Sequence, residues 1–132
     1  MKDYKDVLIL QNQFLYWMFS QTKVKKENFW QMNVCVPTWS ETHSNAEVHF
    51  TFTRRESFDI FSKEYQALGK YAHTLSIEIN YNISTGYKLF ISNGVDTHET
   101  IWYKDMTDLI CKEKDTLVLL MNNWITAGGL YV

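Results

Sequence analysis

Four histidines (His43, His49, His73 and His98), two cysteines (Cys35 and Cys111), an adjacent arginine pair (Arg54 and Arg55) and a run of acids are the residues of this chain with chemistry to offer. The histidines do not fall at zinc-site spacings such as His-x-x-x-His on a helix, and there is no Cys-x-x-Cys, so they read as surface or capping residues. His43 and His49 stand six apart and could meet a carboxylate such as Glu47 only through folding. Cys111 would need a histidine beside it to act as a nucleophile. Its neighbour Lys112 favours a thiolate while burial opposes one, and a core or boundary thiol is the simpler reading. Glu99, Asp105, Asp108, Glu113 and Asp115 could pair to hold magnesium or to move protons. Asp105 and Asp108 also suit a helix N-terminus, where negative charge is stabilised. Arg54 and Arg55 could fork onto a phosphate or carboxylate, or pair with Glu56 or Asp59. The chain carries no P-loop, dinucleotide fingerprint or G-x-S-x-G turn. These residues imply no catalytic constellation, no cofactor and no metal.

The elements that must position them are clearer. Leu75, Ile77, Ile79, Tyr81 and Ile83 alternate with Ser76, Glu78, Asn80, Asn82 and Ser84, and after Ser84-Thr85-Gly86 a second run covers 87–92. Period-two alternation of this length predicts a hairpin of two strands with one buried and one wet face. Upstream, Trp30, Met32, Val34 and Val36 alternate with Gln31, Asn33 and Cys35, predicting a strand over 29–36 ended by Pro37, the single proline. The stretch 38–45 is polar and turn-rich. Val48, Phe50 and Phe52 alternate with His49, Thr51 and Thr53 in a further strand. Asn93-Gly94 predicts a tight turn and a short strand over 98–104.

Helices flank the strands. Val7, Leu10, Phe14, Trp17 and Met18 share one face of a helix over 5–21. Phe58, Phe61, Tyr65, Leu68 and Ala72 predict a helix begun by Ser57. Leu109, Ile110, Leu117, Leu120, Met121 and Trp124 stripe a last helix, capped by Asp105 or Thr107, with a break expected at 112–115 and an end at Gly128-Gly129. The order α-β-β-α-β-β-(β)-α predicts a single α+β domain over 1–132. It should be a two-layer sandwich, with an antiparallel sheet of four to five strands and helices on one face.

Composition bounds the function classes. A chain of 132 residues can bury about two-thirds of its unfolded surface, and 5 Trp, 8 Tyr and 8 Phe can supply most of a core. With 13 basic and 15 acidic residues there is no charge footprint for tight non-specific nucleic-acid binding. Two cysteines make no disulfide framework, the first residues carry two acids and no small-residue cleavage site, and no apolar stretch spans a bilayer. The expectation is a cytoplasmic protein with no membrane role.

The predicted wet face carries Gln31, Asn33, His49, Thr51, Thr53, Ser76, Glu78, Asn80, Asn82, Lys88, Phe90 and Ser92. Neutral hydrogen-bonding groups can enter an interface without the desolvation penalty of buried ions. The leading expectation is therefore a small non-enzymatic protein-binding domain, of the kind that inhibits stoichiometrically by covering a partner's functional surface. The partner would be a nucleic-acid-processing enzyme or a toxin, or a second copy of the chain against the polar face. The expected contact surfaces are the polar face, with Asn33, His49, Thr51, Glu78, Asn80 and Phe90, the loop 38–45, and the acid-bearing segment 96–108 with Asp96, Glu99, Asp105 and Asp108. One alternative is a small-ligand binder or enzyme using Arg54, Arg55, His49 and Glu78 in a pocket between sheet and helix. The other is a single-stranded nucleic-acid module using Lys23, Lys25, Lys26 and Lys88, which a single outward ring, Phe90, supports weakly.

Overall fold

Asp3 starts the first helix, and its side chain does so directly. Its Oδ1 accepts from the Asp6 backbone N–H at 3.1 Å while Asp6 Oδ2 accepts from the Asp3 N–H at 3.3 Å, closing a reciprocal cap. The computed structural model describes residues 1–25, 29–54 and 74–131. Among these are helix α1 (Tyr4–Gln21), strands β1 (Phe29–Val34), β2 (Thr38–Trp39), β3 (Asn45–Arg54), β4 (Thr74–Asn82), β5 (Gly86–Ser92) and β6 (Thr97–Glu99), and helix α2 (Met106–Ala127). The helix expected over 57–72 lies outside the described residues, as do Arg55 and His73.

The strands form one antiparallel sheet in the order β1-β3-β4-β5-β6, with β2 also paired to β3. The expected α+β sandwich is the observed architecture. Alternation decides which face is buried. Val48, Phe50 and Phe52 of β3, Leu75, Ile77 and Ile79 of β4, and Leu89 and Ile91 of β5 are all sealed from solvent. They meet Val7, Leu10, Phe14 and Met18 of α1 and Leu109, Leu117, Leu120, Met121 and Trp124 of α2 in one core. The Phe14 ring stacks on Phe50 at 5.8 Å. Each large side chain so buried stabilises the fold by about 1.5–3 kcal/mol, so the two layers are held chiefly by this apolar contact.

The structure corrects several boundaries. The strand expected over 29–36 stops at Val34, and Thr38–Trp39 forms a separate pairing to β3. Pro37 explains the interruption, since it has no N–H to give a ladder. Val34 pairs with Phe50 but Thr38 with Glu47, so the edge holds one extra residue around the proline. Val36, expected to point inward, is 80% exposed there, and Cys111, expected in the core or at its boundary, is exposed, as is Cys35. Ile83, the last residue of the inward series, sits in the β4–β5 turn and is 64% exposed. The strand expected over 98–104 is three residues long, followed by an isolated bridge between Tyr103 and Tyr87. The last helix runs unbroken through 112–115. Lysine and glutamate are good helix formers, and the buried stripe continues on both sides of them, so nothing there favours a break.

The end of α2 is fastened to the sheet. Gly128 adopts a left-handed conformation and its N–H donates to the Trp124 carbonyl at 2.9 Å. Asn93, buried, donates from Nδ2 to the Gly128 carbonyl at 2.7 Å and accepts at Oδ1 from the N–H groups of Val95 and Asp96. At the other end of β5, Gly86 has φ +93°, and a Cβ there would lie 2.0 Å from the Tyr103 carbonyl oxygen. Gly86→Ala should therefore cost on the order of 3 kcal/mol. Gly94→Ala, at an exposed turn with φ +91°, should cost only about 1–2 kcal/mol. Urea denaturation midpoints at unchanged m-value check the difference.

Candidate functional site

The face of the sheet turned away from the helices is assembled by pairing alone. Ser76, Glu78 and Asn80 of β4 lie opposite Thr51, His49 and Glu47 of β3 on one side and Ser92, Phe90 and Lys88 of β5 on the other. Asn33 of β1 lies opposite Thr51, and Glu99 of β6 opposite Phe90. Asn33, His49, Thr51, Glu78, Asn80, Phe90 and Glu99 are thus brought together on one surface, each half-buried or exposed. The other expected contact residues are placed elsewhere. Asp96 uses its carboxylate to accept the Leu130 N–H at 3.1 Å, Asp105 precedes the first turn of α2, and Asp108 lies within that turn. Arg54 ends β3. His98 pairs with Ile91 and so belongs to the inner side.

Electrostatics differ along this face. Lys88 forms a salt bridge with Glu99, and its Nζ also lies over the Trp102 ring, 5.5 Å from the centroid. Lys88 is thereby held toward the β6 edge. Lys25 instead donates to the Phe19 carbonyl, and the Lys23 N–H to Asn122 Oδ1, both in the helix layer. Lys25, expected to act jointly with Lys88 on a nucleic acid, is therefore turned to the helix layer, while Lys26 lies outside the described residues. Across from Lys88, Glu47 and Glu78 come side by side, because Glu47 pairs with Asn80 and His49 with Glu78. Partial burial pushes the Glu47 carboxyl above the usual glutamate range, and the Glu78 charge and a hydrogen bond to the Glu78 carboxyl push it the same way, against a smaller opposing effect of His49. Cys35 Sγ stands 3.8 Å from His49 Nδ1 on the same face.

Between β2 and Trp102 the face is indented into a cleft of about 440 Å³, lined among others by Thr38, Asn45, Glu47, Asn80, Asn82 and Trp102. Its far end is closed by hydrogen bonds. Asn82 Nδ2 donates to Asn45 Oδ1 at 2.7 Å, Ser40 Oγ accepts from the Asn45 N–H at 3.0 Å, and Trp39 Nε1 donates to His43 Nδ1 at 3.1 Å. Trp39 and Tyr81 also line the cleft, with Trp39 stacked on Tyr81 at 6.2 Å, and Tyr81 meets Tyr87 at 5.0 Å. Among the described residues no cluster of three or more His, Cys, Asp or Glu side chains is placed to hold a metal ion. A second hollow of about 230 Å³, between α1 and α2, is lined mainly by apolar groups such as Leu10, Phe14, Trp17, Met106 and Ile110.

Glu47 and Trp102 of the cleft are not among the expected contact residues. Glu47 continues the outward series of His49 and Thr51, and extending that alternation two residues upstream would have found it. Trp102 follows the end of β6 and carries no periodic signal. Compared with models of protein families, with curated proteins and with solved structures, the chain matches none. Among the described residues no helix is long and apolar enough to cross a membrane.

The Glu47 shift has a consequence for stability. A carboxyl raised in the folded state binds more protons than in the unfolded state, so it costs stability as pH climbs through the interval between the two values. Glu47→Gln should therefore raise the neutral-pH denaturation midpoint. It should also remove part of the decline that the wild type shows from the ordinary glutamate range upward, read as the urea midpoint against pH.

Proposed function

We propose that this chain is a small non-enzymatic protein-binding domain that docks through the outer face of its sheet and covers a functional surface of its partner as a stoichiometric inhibitor. The observation that carries this reading is the face itself. Five strands present amides, hydroxyls and the half-exposed Phe90 on one accessible surface, with the exposed Trp102 at the cleft beside it. Amides and hydroxyls pair across an interface at modest desolvation cost, and aromatic rings supply anchors that exclude water. Immunity-type proteins of toxins and phage-encoded inhibitors of host defence are the classes that act in this way. The Lys88–Glu99 pair sits at the rim of the face, where an ion pair contributes little affinity of its own.

The reading is tested by affinity capture from a lysate of the source cells, followed by size-exclusion chromatography with mass measurement. Wild-type protein should elute in a complex of defined stoichiometry. Asn33→Arg, Asn80→Arg and Phe90→Glu together should weaken it at least about tenfold. Tyr16→Ser with Leu119→Ser, both exposed in the helix layer, should leave it intact. The reverse pattern would assign docking to the helices and overturn the proposal.

A further inference from the structure

We infer that the cleft between β2 and Trp102 receives an arginine side chain presented by the protein partner, the guanidinium lying against the indole and donating to the Glu47 carboxylate and the Asn80 amide oxygen. The inference rests on the docking reading above and supplies the chemistry of the group that is recognised.

Four observations favour this occupant. First, two acids meet at this point of the face, with His49, across from Glu78, as the neighbouring base. Glu47 and Glu78 are neighbours, and the salt bridge among the described residues is Lys88 with Glu99, on the opposite side of Asn80. A cation set against Glu47 would replace a carboxylate–carboxylate repulsion with an attraction. Second, Trp102 already serves a cation, since the Lys88 ammonium lies over its ring, as expected of the electron-rich face of an indole. Third, the acceptors are diverse and fixed. Asn80 and Glu47 are directly paired across strands, and the Asn45–Asn82 hydrogen bond closes the end of the cleft. A flat, forked donor suits a carboxylate and an amide oxygen side by side better than a compact ammonium does. Fourth, the cleft, at about 440 Å³, has room for an extended side chain with part of its backbone. A phosphate would meet the two carboxylates first, which argues against nucleic acid and lipid headgroups here. The apolar hollow between α1 and α2 offers no comparable sign of what would fill it.

The experiment titrates N-acetyl-arginine methylamide into the whole ¹⁵N-labelled chain and follows the Trp102 indole N–H with the Glu47 and Asn80 amides. Saturable shifts confined to the cleft are expected, with affinity in the millimolar range that suits a single side chain. The citrulline counterpart, which keeps the shape and loses the charge, should bind at least about tenfold more weakly, and the lysine counterpart should fall between them. Glu47→Gln should weaken the arginine response at least about tenfold with the rest of the spectrum unchanged, and Trp102→Ala should weaken it independently. Equal shifts from citrulline, an arginine response indifferent to Glu47→Gln, or no response at the cleft would each overturn the inference. If the arginine response fails while complex formation still depends on Asn33, Asn80 and Phe90, the cleft assignment falls and the docking face stands. A normal arginine response with a complex indifferent to those residues overturns the docking reading instead.

Discussion

The register between β3 and β4 is the constraint on which everything else in this molecule rests. Pairs run without interruption from Asn45 with Asn82 to Thr53 with Thr74. Because side chains alternate with a period of two, a slip of one residue would turn either Val48, Phe50 and Phe52 or Leu75, Ile77 and Ile79 toward water. Burying each is worth about 1.5–3 kcal/mol, so the register is fixed by the core with a wide margin. The outer face has no say in it. Glu47 and Glu78 are held together although their charges repel, because exposed charge pairs are worth at most about 1 kcal/mol. The same hydrophobic pairing that folds the chain thus sets out, as a by-product, a polar surface on the other side.

How far the chain announces this structure depends on the kind of signal. The β4–β5 hairpin, the flanking helices and the inward set around Phe50 and Ile77 were legible because alternation and helical spacing report burial directly. Most of the candidate site came with them, since an outward residue is whatever the inward pattern leaves over. That gave Asn33, His49, Thr51, Glu78, Asn80 and Phe90. Local pattern misleads where tertiary contact outranks it. Val36 has the right phase to face the core but lies beside Pro37, where the ladder is interrupted and an extra residue is inserted. The charged run at 112–115 looks like a break, yet the helix continues because its apolar stripe is anchored at both ends. Asp96 looks like a surface acid and instead holds the Leu130 N–H. Trp102 reaches the site by the path of the chain after β6, which no periodicity encodes.

The division of labour between the two layers is correspondingly sharp. The aromatic rings Phe14, Phe50 and Phe52 belong to the core, whereas Phe90 and Trp102 are left on or beside the outer surface. Tyr81 and Tyr87 occupy the inner side at the end of the sheet, packing against one another and against Trp39. They stiffen the strand ends, and Tyr81 with Trp39 also forms part of the cleft wall.

The broken outer edge of the sheet has a further bearing on how the molecule behaves in a crowded solution. An open strand edge invites another chain to continue the ladder, the first step toward fibres. Here β1 shifts register near Phe29 and again around Pro37, and β6 at the opposite margin is only three residues long. Among the described residues neither margin offers a long, straight template, which disfavours sideways growth of a sheet with a wide accessible face.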